Sequence, residues 1–288
     1  TMPYSLLDLR AHPQPQQALT ELADRERQQL HLGDASLLRL VIVRLDEQRH
    51  HLIYTNHHIL MDGWSSSRLF AEVFMAYHGR ASDTGVGRYR DYIEWLGRQS
   101  QGQLEQFWRA HLAELEGPTL LADNVAPQPD LGLGGHAALY LRWDQARTEH
   151  LRTQAQHLRV TPNTLVQAAW LLLLQRYTGQ RTVCFGATVA GRPATLAGAH
   201  EMLGLFIKTQ PVVQTPQPHQ RVRDWLSQLQ GHNLELRDHE HAALADVQRW
   251  AGRPGQALFD SIVVFENYPV DERLQEAEQH QLSFGEVN

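Results

Sequence analysis

The chain has 288 residues, 42% of them hydrophobic and 20% charged, with a formal net charge of -6 and a pI near 6.3. Such a composition is that of a globular chain able to build a sizeable core, as one large domain or two smaller ones, and it offers no basic surplus or aromatic–basic interleaving for nucleic acid. The single cysteine, Cys184, excludes an internal disulfide and a multi-cysteine zinc site and fits a reducing cytoplasm, no apolar run reaches the roughly 18 residues that span a bilayer, and the opening Thr1-Met2-Pro3-Tyr4 lacks the basic-then-apolar order of a signal peptide.

Ser36 to Asp46 and His50 to Asn56 are predicted strands, joined by the polar turn Glu47-Gln48-Arg49. Leu38, Leu40, Ile42 and Arg44 fall on one side of the first strand and Leu37, Arg39, Val41, Val43 and Leu45 on the other, so both faces are mostly apolar and a central place in a covered sheet is expected. Ser65 to Gly79 is a predicted helix, with Leu69, Phe70, Val73, Phe74 and Tyr77 at helical spacing. Tyr89 to Gln99 and Leu104 to Leu115 are two more. Gly117-Pro118, Pro127, Pro129 and Gly132 to Gly135 then break the periodicity, and a domain boundary is expected there, giving units of 1–125 and 126–288.

Beyond the break, Ala137 to Trp143 alternates as a strand. Thr161-Pro162 opens a helix to Tyr177, with threonine at the N-cap, proline at the first position and Gly179 past the end. Its apolar stretch Ala168 to Leu174 is expected to be buried. Thr182 to Val189 and Ile207 to Val213 read as strands, Val222 to Leu236 as a helix, and Phe259 to Phe265 as a late buried strand. Strands and helices alternate throughout, so the fold class is α/β.

The segment with the most chemistry is Asn56-His57-His58-Ile59-Leu60-Met61-Asp62-Gly63-Trp64-Ser65, lying between a strand and a helix start, where functional side chains are often placed. His58 is a candidate base near neutral pH, and Asp62 follows it by four residues. The plainer alternative is a satisfied histidine at a strand end, with Asp62 capping the helix. A metal site is disfavoured, because no third ligand stands at a diagnostic spacing and the 17 histidines are scattered, with His232, His239 and His241 only loosely clustered. No GxSxG elbow supports a hydrolase triad.

HHILMDGWS resembles the active-site motif of the condensation domains of nonribosomal peptide synthetases, members of the chloramphenicol acetyltransferase superfamily. Further segments resemble that family in the same order. They are Tyr89 to Trp95 (YRDYIEW), Thr161 to Tyr177, Gly191-Arg192-Pro193, Leu203 to Thr209 (LGLFIKT), Asp238 to Leu244 (DHEHAAL) and Phe259 to Tyr268 (FDSIVVFENY). Lys208 departs from the pattern, since the family usually has asparagine there. Family members are also longer, with a preceding segment carrying a strand and an arginine-bearing helix and with further C-terminal structure, so an incomplete N-terminal lobe is expected.

The resemblance implies two acetyltransferase-like lobes forming a V with a central tunnel. It implies a peptide-bond-forming enzyme in which the amine of a carrier-tethered acceptor attacks a carrier-tethered donor thioester. Trp64 before Ser65 resembles a peptide-bond-forming member rather than an epimerase, and DHEHAALADVQRW leans the same way, towards the subtype joining two L-configured residues. No cofactor is expected on the chain itself; the phosphopantetheine arms belong to upstream and downstream peptidyl carrier proteins, with an adjacent adenylation domain as a further partner. His58 is the implied central residue, as a base, an orienting group or a stabiliser of the tetrahedral species. Gly63 allows close backbone approach, and its N–H could face the oxyanion. His57 shapes the loop, and Trp64 lines the tunnel. Asp62 resembles a structural aspartate paired with an arginine, either Arg192 or one in the preceding segment. Lys208 is expected to be solvated or substrate-facing rather than buried. A coenzyme A-dependent acyltransferase, a non-catalytic recruitment module and an epimerase of the same family are the alternatives.

Overall fold

The computed structural model describes residues 3–28, 30–33, 36–80, 87–124 and 137–266. These divide into two compact units, one of residues 3–89 with 200–206 and the other of 90–199 with 207–266. The short segment 200–206 thus belongs with a part of the chain more than a hundred residues before it.

In the first unit, β1 (Tyr4–Asp8) runs parallel to β2 (Leu38–Arg44), which pairs antiparallel with β3 (His50–Asn56). Val41 stands opposite Ile53, and both, with Val43, are covered by Leu19 of α1 (Pro15–Gln28). β2 is central, as the apolar pattern predicts. On the other face Tyr54 meets Phe70 edge-on with ring centroids 5.1 Å apart, while Leu6 and Leu52 stay exposed. Period-two patterning reports how apolar a face is and says nothing about what lies on it. β1 and α1 were not predicted. α2 (Gly63–Tyr77) starts two residues earlier than its apolar spacing suggests, because Asp62 is its N-cap.

The second unit holds α3 (Tyr89–Gly97) after its first residue, α4 (Gln101–His111), α5 (Gln145–Leu158), α6 (Pro162–Thr178), α7 (Val222–His239) and α8 (Leu244–Trp250). They pack on a sheet in which β4 (Val183–Val189) lies between β5 (Lys208–Gln214), antiparallel, and β6 (Ile262–Val263), parallel. Its core joins Trp108, Leu171, Leu174, Phe185, Leu229 and Val247. The ends of α6 follow from its sequence: Thr161 Oγ1 accepts the Thr164 N–H at 3.2 Å, and Gly179 closes the helix at φ 69°.

Three expectations fail here. Residues 137–143 form no strand, and Leu139, Tyr140 and Leu141 are exposed. A strand needs a partner for its N–H and C=O groups, and among the described residues none pairs with this segment. The late strand shrinks to Ile262–Val263 beside β4, with one isolated bridge from Phe259 to Thr119, and Val264 and Phe265 are exposed. The α6 stretch buries one face only: Ala168, Leu171 and Leu174 are inside, whereas Leu172 and Leu173 are exposed. A helix whose apolar residues run all round still turns just one stripe to a single neighbouring layer. The proline- and glycine-rich break at 125–136, and Asn267 and Tyr268, lie outside the described residues.

Candidate active site

The first unit assembles a site around the junction of β3 and α2. The β3 strand ends at Asn56, and the His57 N–H donates to the Leu37 carbonyl at 2.8 Å, continuing the strand's direction by one more bond. The chain then turns. His57 Nδ1 accepts the Ile59 N–H at 3.1 Å, and the His57 carbonyl accepts the Leu60 N–H at 3.0 Å. With its ring nitrogen bound to backbone, His57 is half-buried inside the turn. His58 sits at the turn's tip with its side chain exposed. An imidazole so placed can reach a substrate without first breaking a protein contact.

Asp62 closes the turn. Its side chain is 1% exposed and extended backbone angles make it the N-cap of α2. Oδ1 accepts the Ser65 N–H at 2.8 Å, and Oδ2 accepts the N–H of Phe206 at 3.0 Å. A carboxylate that accepts two backbone N–H groups is well compensated for burial. The Asp62 N–H donates in turn to the Gly204 carbonyl at 3.2 Å, while the Ser65 hydroxyl donates to that carbonyl at 2.8 Å and accepts the Gly204 N–H at 3.1 Å. The same carboxylate thus caps α2 and grips residues 204–206.

Gly204 is dictated by this grip. A Cβ built on it would stand 2.1 Å from Cδ2 of Tyr89, whose hydroxyl donates to the Leu205 carbonyl at 2.6 Å and whose ring meets Phe206 edge-on. Trp64 adds a further tie, its Nε1 donating to the His200 carbonyl at 3.2 Å. Gly63 is the first residue of α2, so its N–H is one of the first-turn amides without an intrahelical partner, at the positive end of the helix dipole. A base next to such amides can serve a reaction in which an amine loses a proton while a carbonyl oxygen gains charge.

Among the sequence candidates, His57, His58, Asp62, Gly63 and Trp64 lie together in this unit. Ser65, Tyr89, His200, Gly204 and Phe206 complete it and were given no role beforehand. Tyr89, Gly204 and Phe206 lie inside the YRDYIEW and LGLFIKT segments, so the resemblance flagged them, but nothing in the local sequence links positions up to 144 residues apart.

Arg192 belongs to the second unit. It is 7% exposed and donates from Nη1 to the Ala199 carbonyl at 2.6 Å. Lys208, in the same unit, is neither solvated nor free: it is half-buried, its ammonium donates to the His241 carbonyl, and burial favours loss of its proton against the pull of Glu240. That expectation is corrected. Strand alternation along β5 could not indicate that the end of α7 would meet Lys208. Among the described residues no group of three or more His, Cys, Asp or Glu side chains could hold a metal ion, and no helix is long and apolar enough to cross a membrane.

The sequence matches the condensation-domain family over residues 2–288. It is 41% identical to chondramide synthase of Chondromyces crocatus over 262 residues, which are 88% of this chain and 7% of that protein. It is 39% identical to one of the linear gramicidin synthase proteins of Brevibacillus parabrevis over 294 residues, 98% of this chain and 4% of that one. The fold resembles the first condensation domain of the calcium-dependent antibiotic synthetase in complex with a substrate analogue, with a TM-score of 0.66 at 24% identity, covering 92% of this chain and 61% of that one. It also resembles a variant of the starter condensation domain of rhizomide synthetase in complex with C8-CoA, with a TM-score of 0.67 at 23% identity and the same coverages. The chain therefore spans a small fraction of the curated relatives and about three-fifths of the solved domains.

Proposed function

We propose that this chain, which belongs to the condensation-domain family, forms a peptide bond between two carrier-tethered substrates. The amine of the acceptor attacks the carbonyl carbon of a donor aminoacyl or peptidyl thioester. The C–N bond forms, the C–S bond breaks, and the donor's phosphopantetheine thiol leaves with a proton. In this reading His58 takes or steers the amine proton, and the Gly63 N–H faces the carbonyl oxygen. His57, Asp62 and Trp64 hold the turn and helix start, and Arg192 supports the site. The donor and acceptor are carried by upstream and downstream peptidyl carrier proteins beside an adenylation domain, in the cytoplasm. Both substrates are L-configured, and the chain itself binds no cofactor. The lobes of this reading are residues 1–125 and 126–288.

The observation that carries the proposal is the exposed His58 imidazole on a turn whose far end is anchored by buried Asp62 at the start of α2. The test is His58→Ala with defined aminoacyl groups loaded on both carriers, read by intact mass of the acceptor carrier. General acid–base catalysis is worth about 10²–10⁴-fold, and a loss of that order with normal unfolding is expected. Condensation at the parent rate would remove His58 from the chemistry. An acyl-CoA donor is the second reading, prompted by the neighbour solved with C8-CoA.

A further inference from the structure

Ser65 is fully buried in the first turn of α2, and its hydroxyl serves both peptide groups of Gly204, 139 residues away. It donates to the Gly204 carbonyl at 2.8 Å and accepts the Gly204 N–H at 3.1 Å. Only a group that both donates and accepts can do this, and a hydroxyl is the smallest side-chain group that can. The same carbonyl accepts the Asp62 N–H at 3.2 Å. One residue on, the Leu205 carbonyl accepts the Tyr89 hydroxyl at 2.6 Å. Two hydroxyls, one in the first turn of α2 and one at the first residue of α3, therefore hold neighbouring peptides of one segment. All of these residues belong to the first unit.

Gly63 lies between Asp62 and Ser65, the two residues that share the Gly204 carbonyl. Beside it, the Asp62 carbonyl accepts the Ser66 N–H at 2.9 Å, and the Gly63 carbonyl accepts the Ser67 hydroxyl at 2.8 Å. The groups on either side of Gly63 are thus committed to fixed partners. The Gly63 N–H, in the first turn, is one of the amides a helix leaves for an outside acceptor. A glycine backbone is conformationally free, so the direction of that N–H depends on what holds the residues around it. A donor aimed at developing charge is effective when its direction is set before the reaction begins.

We propose that Ser65 is a positioning residue for the Gly63 amide, acting through Gly204, with Tyr89 as a second hold on the same segment. The hold on Gly204 stands on hydrogen bonds within the first unit; its effect on rate rests on the function proposed above.

The full-length protein is compared as the parent, Ser65→Ala, Ser65→Thr, Tyr89→Phe and the double variant Ser65→Ala/Tyr89→Phe. Hydrogen exchange follows the Asp62 and Gly204 amides, and kcat and KM are measured with loaded carriers. Ser65→Ala should speed exchange of both amides and lower kcat, each about tenfold, the size of one hydrogen bond whose partner is left buried, with little change in KM. Ser65→Thr keeps the hydroxyl and should restore exchange and kcat. Tyr89→Phe removes a donor to Leu205, yet it should speed Asp62 and Gly204 exchange and lower kcat in the same sense. The double variant should lose less than the product of the two single losses, because both act on one segment. Unchanged Gly204 exchange in Ser65→Ala, or faster exchange with kcat unchanged, would overturn the positioning role. Losses that simply multiply would overturn the shared hold. Should the extra methyl of Ser65→Thr prevent folding at this buried site, Tyr89→Phe and the double variant decide by themselves. A parent that does not condense loaded substrates would sink the function proposed above, and Asp62 and Gly204 exchange across the same variants would still decide the hold.

Discussion

Replacing Asp62 by asparagine tests how the site is held, because the change keeps size and removes one acceptor. Asp62 accepts the N–H of Ser65 through Oδ1 and the N–H of Phe206 through Oδ2, and the side chain is 1% exposed. An asparagine can satisfy one of these donors through its single oxygen, while its NH₂ must face the other. The variant loses one hydrogen bond to a charged acceptor, worth about 1.5–3 kcal/mol, and leaves a buried N–H opposed by another donor, which costs about 1–3 kcal/mol more. The two overlap, and we expect about 2–4 kcal/mol of destabilisation, or a fall in Tm on the order of 5–15 °C for a chain of this size. Keeping the helix cap satisfies Ser65 at the expense of Phe206, so the loss should concentrate in residues 204–206. Thermal unfolding gives the total, and hydrogen exchange at the Phe206 amide gives the location. A variant that unfolds within about 0.5 kcal/mol of the parent, as ordinary surface changes do, with Phe206 protection unchanged, would refute the reasoning. Normal stability with lost condensation would instead move Asp62 into the chemistry.

Gly204→Ala should destabilise by about 1–3 kcal/mol, as overpacking does, because its Cβ would lie 2.1 Å from Tyr89; adding Tyr89→Ala should recover part of the loss in denaturant unfolding. His111 is held down to about 4, first by burial and then by His232, so the fold refuses a proton that the unfolded chain accepts below about 6.5. Its contribution to stability is therefore lost as pH falls from about 6.5 to 4, about 3 kcal/mol in all. The stability difference between parent and His111→Phe should shift by that amount between pH 7 and 4 in urea unfolding, and an equal difference at both values would count against it. Glu240, raised to about 7, acts in the opposite sense: stability falls as pH rises from its ordinary value towards 7, and Glu240→Gln should remove that slope. Carrier-tethered thioesters should be turned over far faster than free coenzyme A thioesters, since the sequence has no glycine-rich phosphate loop; comparable rates would favour the acyl-CoA reading.

What the sequence by itself determined is what depends on neighbours along the chain. Thr161, Pro162 and Gly179 set the ends of α6 because caps act within one turn. The β2–β3 hairpin, and the turn carrying His57 and His58 to the start of α2, were legible for the same reason. Tertiary structure decided what needs a partner from far away. Residues 137–143 and 264–265 alternate like strands, yet extended chain becomes sheet only where another strand accepts its hydrogen bonds. Asp62 could be read as a cap or as one half of a pair, and only the return of residues 204–206 to the first unit shows its second oxygen on Phe206. Lys208 looked like a solvated charge until the end of α7 supplied the His241 carbonyl. Patterns of polarity declare which groups must be satisfied; the packing of segments remote in sequence determines which groups satisfy them.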